Sequence, residues 1–280
     1  MQGHEGWDDY ADYYDWENAQ TVGRRDIAFW SAFAQGASAF TQRGKGASAR
    51  QARTSAQILE LGCGTGRVAI PVAKTGARVI GIDRSESMLA RGHARVRRAK
   101  IGARVSLIRG DIRYLPFPDQ SFPLVMAPYG ILQSLLDEKV LTATLKEVER
   151  VLTRGGTFGL ELVADLPAWD EYSNKVTFRS PKGPHGKPIV LIESVKQDRR
   201  NHITRFEQEF VEGRGKSATR RKFSLAFRTV SVPQMVQRLE KAGFEVSALL
   251  GDYQGGPWDM RADVWIILAR AKAPARKTKR

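Results

Sequence analysis

Residues Ile58–Arg67 have the sequence ILELGCGTGR, an apolar strand that runs into a turn with glycine at every second position. Gly62, Gly64 and Gly66 can adopt backbone torsions that other residues avoid, and they let a ligand approach the main chain closely. The apolar stretch 68–73 predicts a helix whose first N–H groups face a polar ligand. The segment therefore predicts a small-molecule cradle at the carboxyl end of the first strand of an α/β sheet.

The glycine spacing fits a dinucleotide fingerprint imperfectly. Counted from Gly62, Gly-x-Gly-x-x-Gly needs glycine where the chain has Arg67; counted from Gly64, it ends at Ala69, a tolerated residue. The fingerprint is therefore neither satisfied nor excluded. The deciding residue is Glu60, an acid at the strand end, two residues before the first glycine.

Further blocks follow in order along the chain. Arg78–Asp83 is a second apolar strand, and its terminal acid lies 23 residues after Glu60, which suits one strand–helix–strand unit. Ser85 is a good N-cap for the next helix. The stretches 105–112, 122–129 and 147–158 add a third strand followed by Asp111, a fourth strand that exits at Pro128 and Tyr129, and a fifth strand after a Gly-Gly turn.

Together these blocks resemble the class I S-adenosylmethionine-dependent methyltransferases of the small-molecule type (methyltransferase type 11/25-like). The resemblance covers residues 56–163 and, more loosely, 231–270. It implies an α/β, doubly wound, Rossmann-like fold: a seven-stranded, mostly parallel sheet with helices on both faces, plus an antiparallel β insertion after strand five. The expected segments are a cap or lid at 1–55, the cofactor-binding core at 56–163, the insertion at 164–230, the rest of the core at 231–270 and a basic disordered tail at 271–280.

The resemblance also implies S-adenosyl-L-methionine as the cofactor. Glu60 is expected to help organise the turn and the cofactor ammonium, Asp83 to accept the ribose hydroxyls, Met88 to pack on the adenine and Asp111 to lie near its amino group. No metal is expected. The candidate cofactor-binding residues are Glu60, Gly62, Cys63, Gly64, Gly66, Asp83, Arg84, Met88, Asp111, Ile112 and Pro128.

Three residues qualify this picture. Pro123 stands where the family usually has Asp, and because proline sits best at a strand start, we expect the fourth strand to begin at about Leu124. Ala127 opens a tetrapeptide that resembles the Asn/Asp-Pro-Pro-Tyr motif of base-amine methyltransferases, but it has no carbonyl to hold an amine, which disfavours that chemistry. Cys63, the single cysteine, is interpreted as a small residue that fits the turn rather than as a nucleophile.

The candidate catalytic residues are Tyr14 and Tyr129. Trp7–Trp16 is unusually aromatic and acidic, and a helix is expected to follow from Asp26 to about Phe40. Aromatic faces attract a sulfonium or a protonated amine, so Tyr14 is predicted to close over the cofactor and acceptor. The alternative is that these rings only anchor the arm to the core. Tyr129 and Gln133 follow the fourth strand and are expected to line the pocket, although Gln133 is equally consistent with a residue that faces the core.

The net charge of +15 is unevenly spread. Residues 1–20 carry six acids and no Lys or Arg, whereas 270–280 carry six basic residues and no acid, and the tail is interpreted as disordered beyond about Ala271. Arg91, Arg95 and Arg98 share one helix face. This face is either solvated or a contact for nucleic acid or an anionic membrane.

The remaining expectations concern the insertion and the whole chain. Four antiparallel strands are predicted near 175–179, 189–195, 203–210 and 222–227. No apolar run reaches membrane-spanning length, so we expect a cytoplasmic protein. We expect it to be a monomer or a homodimer. The predicted function is methyl transfer to a small-molecule N or O acceptor. The alternatives are an RNA or protein methyltransferase that uses the basic surface, and a non-catalytic or dehydrogenase-like protein that binds a nucleotide cofactor.

Overall fold

The computed structural model describes residues 6–21, 25–41, 57–164 and 170–272. The loop expected at 42–54 and the tail beyond 272 lie outside these ranges. The helices are α1 (Trp7–Thr21), α2 (Arg25–Thr41), α3 (Ala69–Lys74), α4 (Glu86–Ala99), α5 (Glu138–Val151) and α6 (Val232–Lys241). The strands are β1 (Gln57–Leu61), β2 (Arg78–Asp83), β3 (Val105–Arg109), β4 (Phe122–Ala127), β5 (Leu152–Val163), β6 (Tyr172–Ser180), β7 (Ile189–Asp198), β8 (Ile203–Glu212), β9 (Thr219–Arg228), β10 (Phe244–Leu250) and β11 (Val264–Ala271).

Seven strands form the first sheet, in the order β10-β11-β5-β4-β1-β2-β3. Strands β1 to β5 are parallel neighbours, and β11 joins antiparallel to β5 and to β10. The chain order reverses where β1 lies between β2 and β4, so the switch-point crevice opens at the carboxyl ends of β1 and β4. The predicted fold class is therefore confirmed, including the antiparallel insertion after β5.

Helices cover both faces of this sheet because each presents one apolar face. On one face, buried residues of α5 and α6 such as Leu145 and Leu239 pack against Phe158 of β5. On the other face, residues of α2, α3 and α4 such as Trp30 and Val72 pack against β1, β2 and β4. No helix in the described part of the chain is long and apolar enough to cross a membrane.

The start of β4 differs from the expectation. The strand begins at Phe122, not Leu124, and the ladder with β5 shifts register between those two residues. Pro123 therefore lies in an irregular part of the ladder, where its missing N–H is tolerated. Phe122 is held there by burial and by an edge-to-face contact with Phe117 at 4.9 Å between ring centroids.

The second sheet is the insertion, with four antiparallel strands in the order β6-β7-β8-β9. Its strands are longer than predicted, as β7 and β8 pair without interruption from Ile189–Glu212 to Asp198–Ile203. Helix α1 packs on this sheet through aromatic rings: Tyr13 stacks on Phe210 with centroids 4.4 Å apart. The first helix and the second sheet therefore form one unit that covers the switch-point crevice.

Candidate functional site

A cavity of about 1330 Å³ lies between the carboxyl ends of β1 and β4, helix α1 and the second sheet. This volume exceeds the roughly 300–1,000 Å³ of ordinary ligand pockets, so the cavity has room for two small molecules. Ten of the residues proposed from sequence line it: Tyr14, Gly62, Gly64, Asp83, Arg84, Met88, Asp111, Ile112, Pro128 and Tyr129. The other three, Glu60, Cys63 and Gly66, are buried beside it.

Asp83 is held by the backbone at the end of β2. Its Oδ2 accepts a hydrogen bond from the Gly64 N–H at 2.8 Å, and its Oδ1 accepts one from the Ser85 N–H at 2.9 Å. Burial raises the pKa of this carboxyl, and the backbone N–H donors oppose that shift. Each oxygen keeps a lone pair for a further donor, as a ribose diol requires.

The glycine turn is shaped by close packing. Gly62 has φ +64°, and a Cβ there would lie 2.4 Å from Ile131. Gly81 on β2 is equally constrained, because its Cβ would lie 2.5 Å from the Cβ of Cys63. Burial raises the pKa of the Cys63 thiol well above its ordinary value. Cys63 thus sits as a small packed residue, in a setting opposite to that of a reactive thiolate.

Glu60 lies at the end of β1 and is 3% exposed. Its Oε2 has no hydrogen-bond partner among the residues that the structure describes. Burial raises the pKa of its carboxyl to about 8, and Arg67 opposes this shift. A buried acceptor without a donor beside the glycine turn fits the ammonium group of the cofactor that the resemblance implies.

Asp111 is already paired within the protein. Both of its oxygens accept hydrogen bonds from the Arg113 guanidinium, at 2.6–3.0 Å, and Arg84 lies 3.4 Å away. Burial alone would raise the pKa of Asp111, but the bonds from Arg113 outweigh it and hold the pKa below its usual value. Arg113 was not among the residues proposed from the sequence. The role of Asp111 at the adenine is a proposal.

Arg67 lies close to both candidate catalytic tyrosines, Tyr14 and Tyr129. Its guanidinium donates two hydrogen bonds to Asp26 of α2, at 2.8 and 2.6 Å, and lies 5.3 Å from the ring centroid of Tyr129. Burial raises the pKa of the Tyr14 hydroxyl, and the same Arg67 opposes that shift. Sequence analysis noted Arg67 only as the residue that breaks a dinucleotide fingerprint.

Two further residues near Tyr129 were missed. Glu161 on β5 is 6% exposed, and its carboxylate accepts hydrogen bonds from the Tyr129 N–H at 3.1 Å and the Tyr253 hydroxyl at 2.7 Å. Tyr129 itself has φ +53°, a left-handed conformation that non-glycine residues rarely hold without support. Gln133 is not in the cavity wall; its amide bonds to the backbone of Val163, which fits the core-facing alternative.

The far end of the cavity was also missed. Its polar residues come from α1 (Glu17 and Asn18), β7 (Glu193) and β8 (Gln208). One signal existed in the sequence: on the inward side of their strands, Glu193 lies between Leu191 and Val195, and Gln208 lies between Phe206 and Phe210. A polar residue on that side marks a wall that faces a ligand or a buried partner.

The acids of α1 bind the basic face of α4. Asp15 pairs with Arg95 at 2.9 Å and Asp12 with Arg91 at 3.1 Å. Asp8 accepts a hydrogen bond from the Ser85 hydroxyl at 2.6 Å, at the start of the same helix. Arg91 and Arg95 are therefore paired with α1, whereas Arg98, the third residue of this face, is exposed.

Comparison with known proteins agrees with this geometry. Residues 58–156 match the family model described as a methyltransferase domain. A sterol 24-C-methyltransferase of Yarrowia lipolytica is 32% identical over 117 residues, which are 41% of this chain and 29% of that protein. The chain thus spans about three tenths of the length of that relative.

Solved structures extend the likeness to the whole fold. The CcbJ methyltransferase of Streptomyces caelestis superimposes with a TM-score of 0.77 at 20% identity, over 98% of this chain and 99% of that one. The sugar N-methyltransferase KedS8 of Streptoalloteichus sp. superimposes with a TM-score of 0.67 at 15% identity, over 93% of each chain.

The fold and the matched segment define the class. Residues 58–156 match a methyltransferase domain, and the fold around them matches that of a solved S-adenosylmethionine-dependent methyltransferase of Clostridium acetobutylicum. The second sheet and α1 are the additions that this chain places over the switch-point crevice.

Proposed function

We propose that the chain transfers a methyl group from S-adenosylmethionine to a nitrogen or oxygen atom of a small-molecule acceptor. The observation that carries the proposal is the single cavity that joins the glycine turn and Asp83 to a second chamber walled by α1 and the second sheet. The Yarrowia relative is named for transfer to carbon and KedS8 for transfer to nitrogen, so the relatives leave the acceptor atom open.

In this proposal the residues of the chain bind, orient and exclude water. When bound, the cofactor supplies an electrophilic methyl group. Asp83 would hold its ribose and Glu60 its ammonium end. Alignment of two bound reactants supplies roughly 7–11 kcal/mol of a barrier, which is the main contribution asked of the protein.

Tyr14 and Tyr129 serve as orienting groups rather than bases. Burial raises the pKa of both hydroxyls, so both stay protonated at neutral pH. A protonated hydroxyl donates a hydrogen bond to the acceptor but does not remove its proton. Arg67 fixes both rings in place.

The alternatives have less support. Two arginines of the basic face pair with α1, which leaves less of that charge for a polyanionic acceptor. Helix α1 and the second sheet also wall the cavity. We also propose a cytoplasmic monomer or homodimer.

A methyl-transfer screen tests the function. Tritiated S-adenosylmethionine is incubated with small amines, small alcohols, tRNA and lysate protein, with Asp83→Ala as the matched variant. We expect label in the small-molecule fraction from the wild type and at least a hundredfold less from the variant. Label in tRNA or protein alone would contradict the proposal.

A further inference from the structure

The acceptor chamber has an aromatic wall. Trp7, Tyr10 and Tyr14 of α1 lie edge to face, with centroids 5.8–6.1 Å apart. Phe227 of β9 continues this wall, 6.4 Å from Trp7. Aromatic faces carry negative charge density, so such a wall favours a cation with an apolar body over an anion.

The polar groups in the same chamber are hydrogen-bond acceptors. Glu193 accepts hydrogen bonds from the Tyr172 hydroxyl and, at 3.0 Å, from the Gln208 amide nitrogen. A carboxylate only accepts, so this bond orients the Gln208 amide. Its Oε1 is left without a partner within the described ranges, in a side chain that is 8% exposed.

Asn18, on the α1 wall of the chamber, also has a buried amide oxygen without a donor among the described residues. Its amide nitrogen donates to the Tyr14 carbonyl at 2.9 Å, and its Oδ1 has no partner in the described part of the chain. Asn18 is 5% exposed and lines the cavity. Buried amide oxygens in native proteins nearly always have donors, so two of them in residues that line one chamber point to a ligand that supplies N–H groups.

Glu17 adds a second carboxyl beside these groups. It lies one turn beyond Tyr13 and Tyr14 on α1, and it lines the cavity together with Glu193. Burial, and after it the negative charge of Glu193, raise the pKa of Glu17 to about 7. A carboxyl whose pKa lies near neutral pH is suited to exchange a proton with a ligand.

We propose that this chamber binds the methyl acceptor as a protonated primary or secondary amine with an apolar body, and that Glu17 takes its proton. The inference rests on the proposed function and names the substrate class of the same site. An ammonium group supplies a positive charge, which Glu17 and Glu193 attract, and two or three N–H donors for acceptors of the chamber such as the Gln208 and Asn18 oxygens. A hydroxyl supplies one donor and no charge.

The proton transfer balances within the site. The ammonium nitrogen gives one proton to the Glu17 carboxylate, which becomes a neutral carboxyl, and the electron pair of that N–H bond stays on nitrogen. Glu193 keeps its bonds to Tyr172 and Gln208 and serves as the anchor for the remaining N–H groups. The neutral amine then carries the lone pair that methyl transfer needs.

Matched amine and alcohol probes test this assignment. Binding of 4-fluorobenzylamine and 4-fluorobenzyl alcohol is followed by fluorine NMR at pH 7.5 with S-adenosylhomocysteine present, and cyclohexylamine and cyclohexanol are compared by competition. We expect both amines to bind at least tenfold more tightly than their alcohols. Glu193→Gln and Glu17→Gln should each remove most of this preference.

Glu209→Gln is the control, because Glu209 follows Gln208 on β8 and pairs with Arg220 on the other face of the sheet. It should keep the amine preference. Equal binding of amines and alcohols, no binding of either amine, or an unchanged preference in the Glu17 and Glu193 variants would overturn the inference.

Calorimetry with S-adenosylhomocysteine on the same samples separates the two claims. Wild type that fails to bind this ligand contradicts the proposed function. Normal binding of it without an amine preference contradicts only the assignment of the chamber, and normal binding in the variants shows that they are folded.

Discussion

At the cofactor end of the cavity, beside the glycine turn, Asp83 and Asp26 have partners from the chain, and Glu60 keeps one oxygen without a donor in the described residues. At the acceptor end, beside α1 and the second sheet, the polar groups are mostly hydrogen-bond acceptors. Asp83 accepts two backbone N–H groups, and Asp26 is paired with Arg67. Gln208 and Asn18, by contrast, each keep an amide oxygen without a partner in the described residues. The fold itself therefore satisfies Asp83 and Asp26 at the first end, while the acceptors of the second end gain donors when a cationic ligand binds.

The largest expected effect is the loss of a partner at the cofactor end. Asp26→Ala leaves the buried Arg67 guanidinium without its anion, and breaking such a pair destabilises by about 3–5 kcal/mol. The free energy of unfolding in urea measures this effect. Asp119→Ala is the control, because Asp119 is 72% exposed in its pair with Arg150, and an exposed pair is worth under about 1 kcal/mol. Equal losses in the two variants would show that the buried pair is not a stabilising anchor.

The next effect concerns ligand affinity at the same end. Asp83→Ala removes the acceptor of two ribose hydroxyls, each worth roughly 1.5–3 kcal/mol before compensation. We expect about a hundredfold weaker binding of S-adenosylhomocysteine by calorimetry. Circular dichroism checks the fold, because Asp83 also fixes the Gly64 N–H. Unchanged affinity would falsify the ribose assignment.

Removal of a carboxylate at the acceptor end should raise the free energy of unfolding, whereas removal of Asp26 should lower it. The pKa of Glu17 is about 7 in the folded protein and lies above its ordinary 4.5, so the stability linked to it is full below 4.5 and is lost as the pH rises through 7. Glu17→Gln resembles the protonated form. We expect it to match wild type near pH 4.5 and to exceed it by up to about 3 kcal/mol at pH 8.

Urea unfolding at the two pH values measures this difference, with Glu209→Gln as a control that should show none. If Glu17→Gln were less stable than wild type at pH 8, the Glu17 carboxylate would stabilise the fold at that pH, and the contrast between the two ends would disappear.

The smallest expected effect lies between the two ends, at Tyr14. Its ring belongs to the aromatic wall and its hydroxyl lies near Arg67. Tyr14→Ala should lower kcat/KM by about tenfold, or 1.4 kcal/mol, with a smaller effect on stability. Steady-state kinetics and the melting temperature measure the two quantities. A large fall in melting temperature with activity per folded molecule retained would mean that the arm is only an anchor.

The cofactor end was predictable because its signals are local. The glycine turn, Glu60 and the acid that ends β2 lie within a single strand–helix–strand unit, and torsion and register there follow from neighbouring residues. The seven-stranded, mostly parallel sheet was implied by the family that the same blocks resemble. The start of β4 was wrong by two residues, because the sequence does not show that the ladder slips at Pro123.

The acceptor end was not predictable because it joins distant parts of the chain. Glu17 lies near Glu193 only because α1 packs on the second sheet. The ion pair between Arg91 and Asp12 likewise depends on where α1 packs. Glu193 and Gln208, on the inward side of β7 and β8, indicated a polar wall, but no local pattern showed which element would pack against it.

The most direct test of the central claim is calorimetry of the wild-type protein with S-adenosylhomocysteine and, separately, with NAD. We expect micromolar affinity for S-adenosylhomocysteine, about −8 kcal/mol, and no measurable binding of NAD. The reason is that Arg67, which stands where the fingerprint counted from Gly62 needs glycine, is paired with Asp26 and lies against Tyr129. Binding of NAD with no binding of S-adenosylhomocysteine would contradict the account.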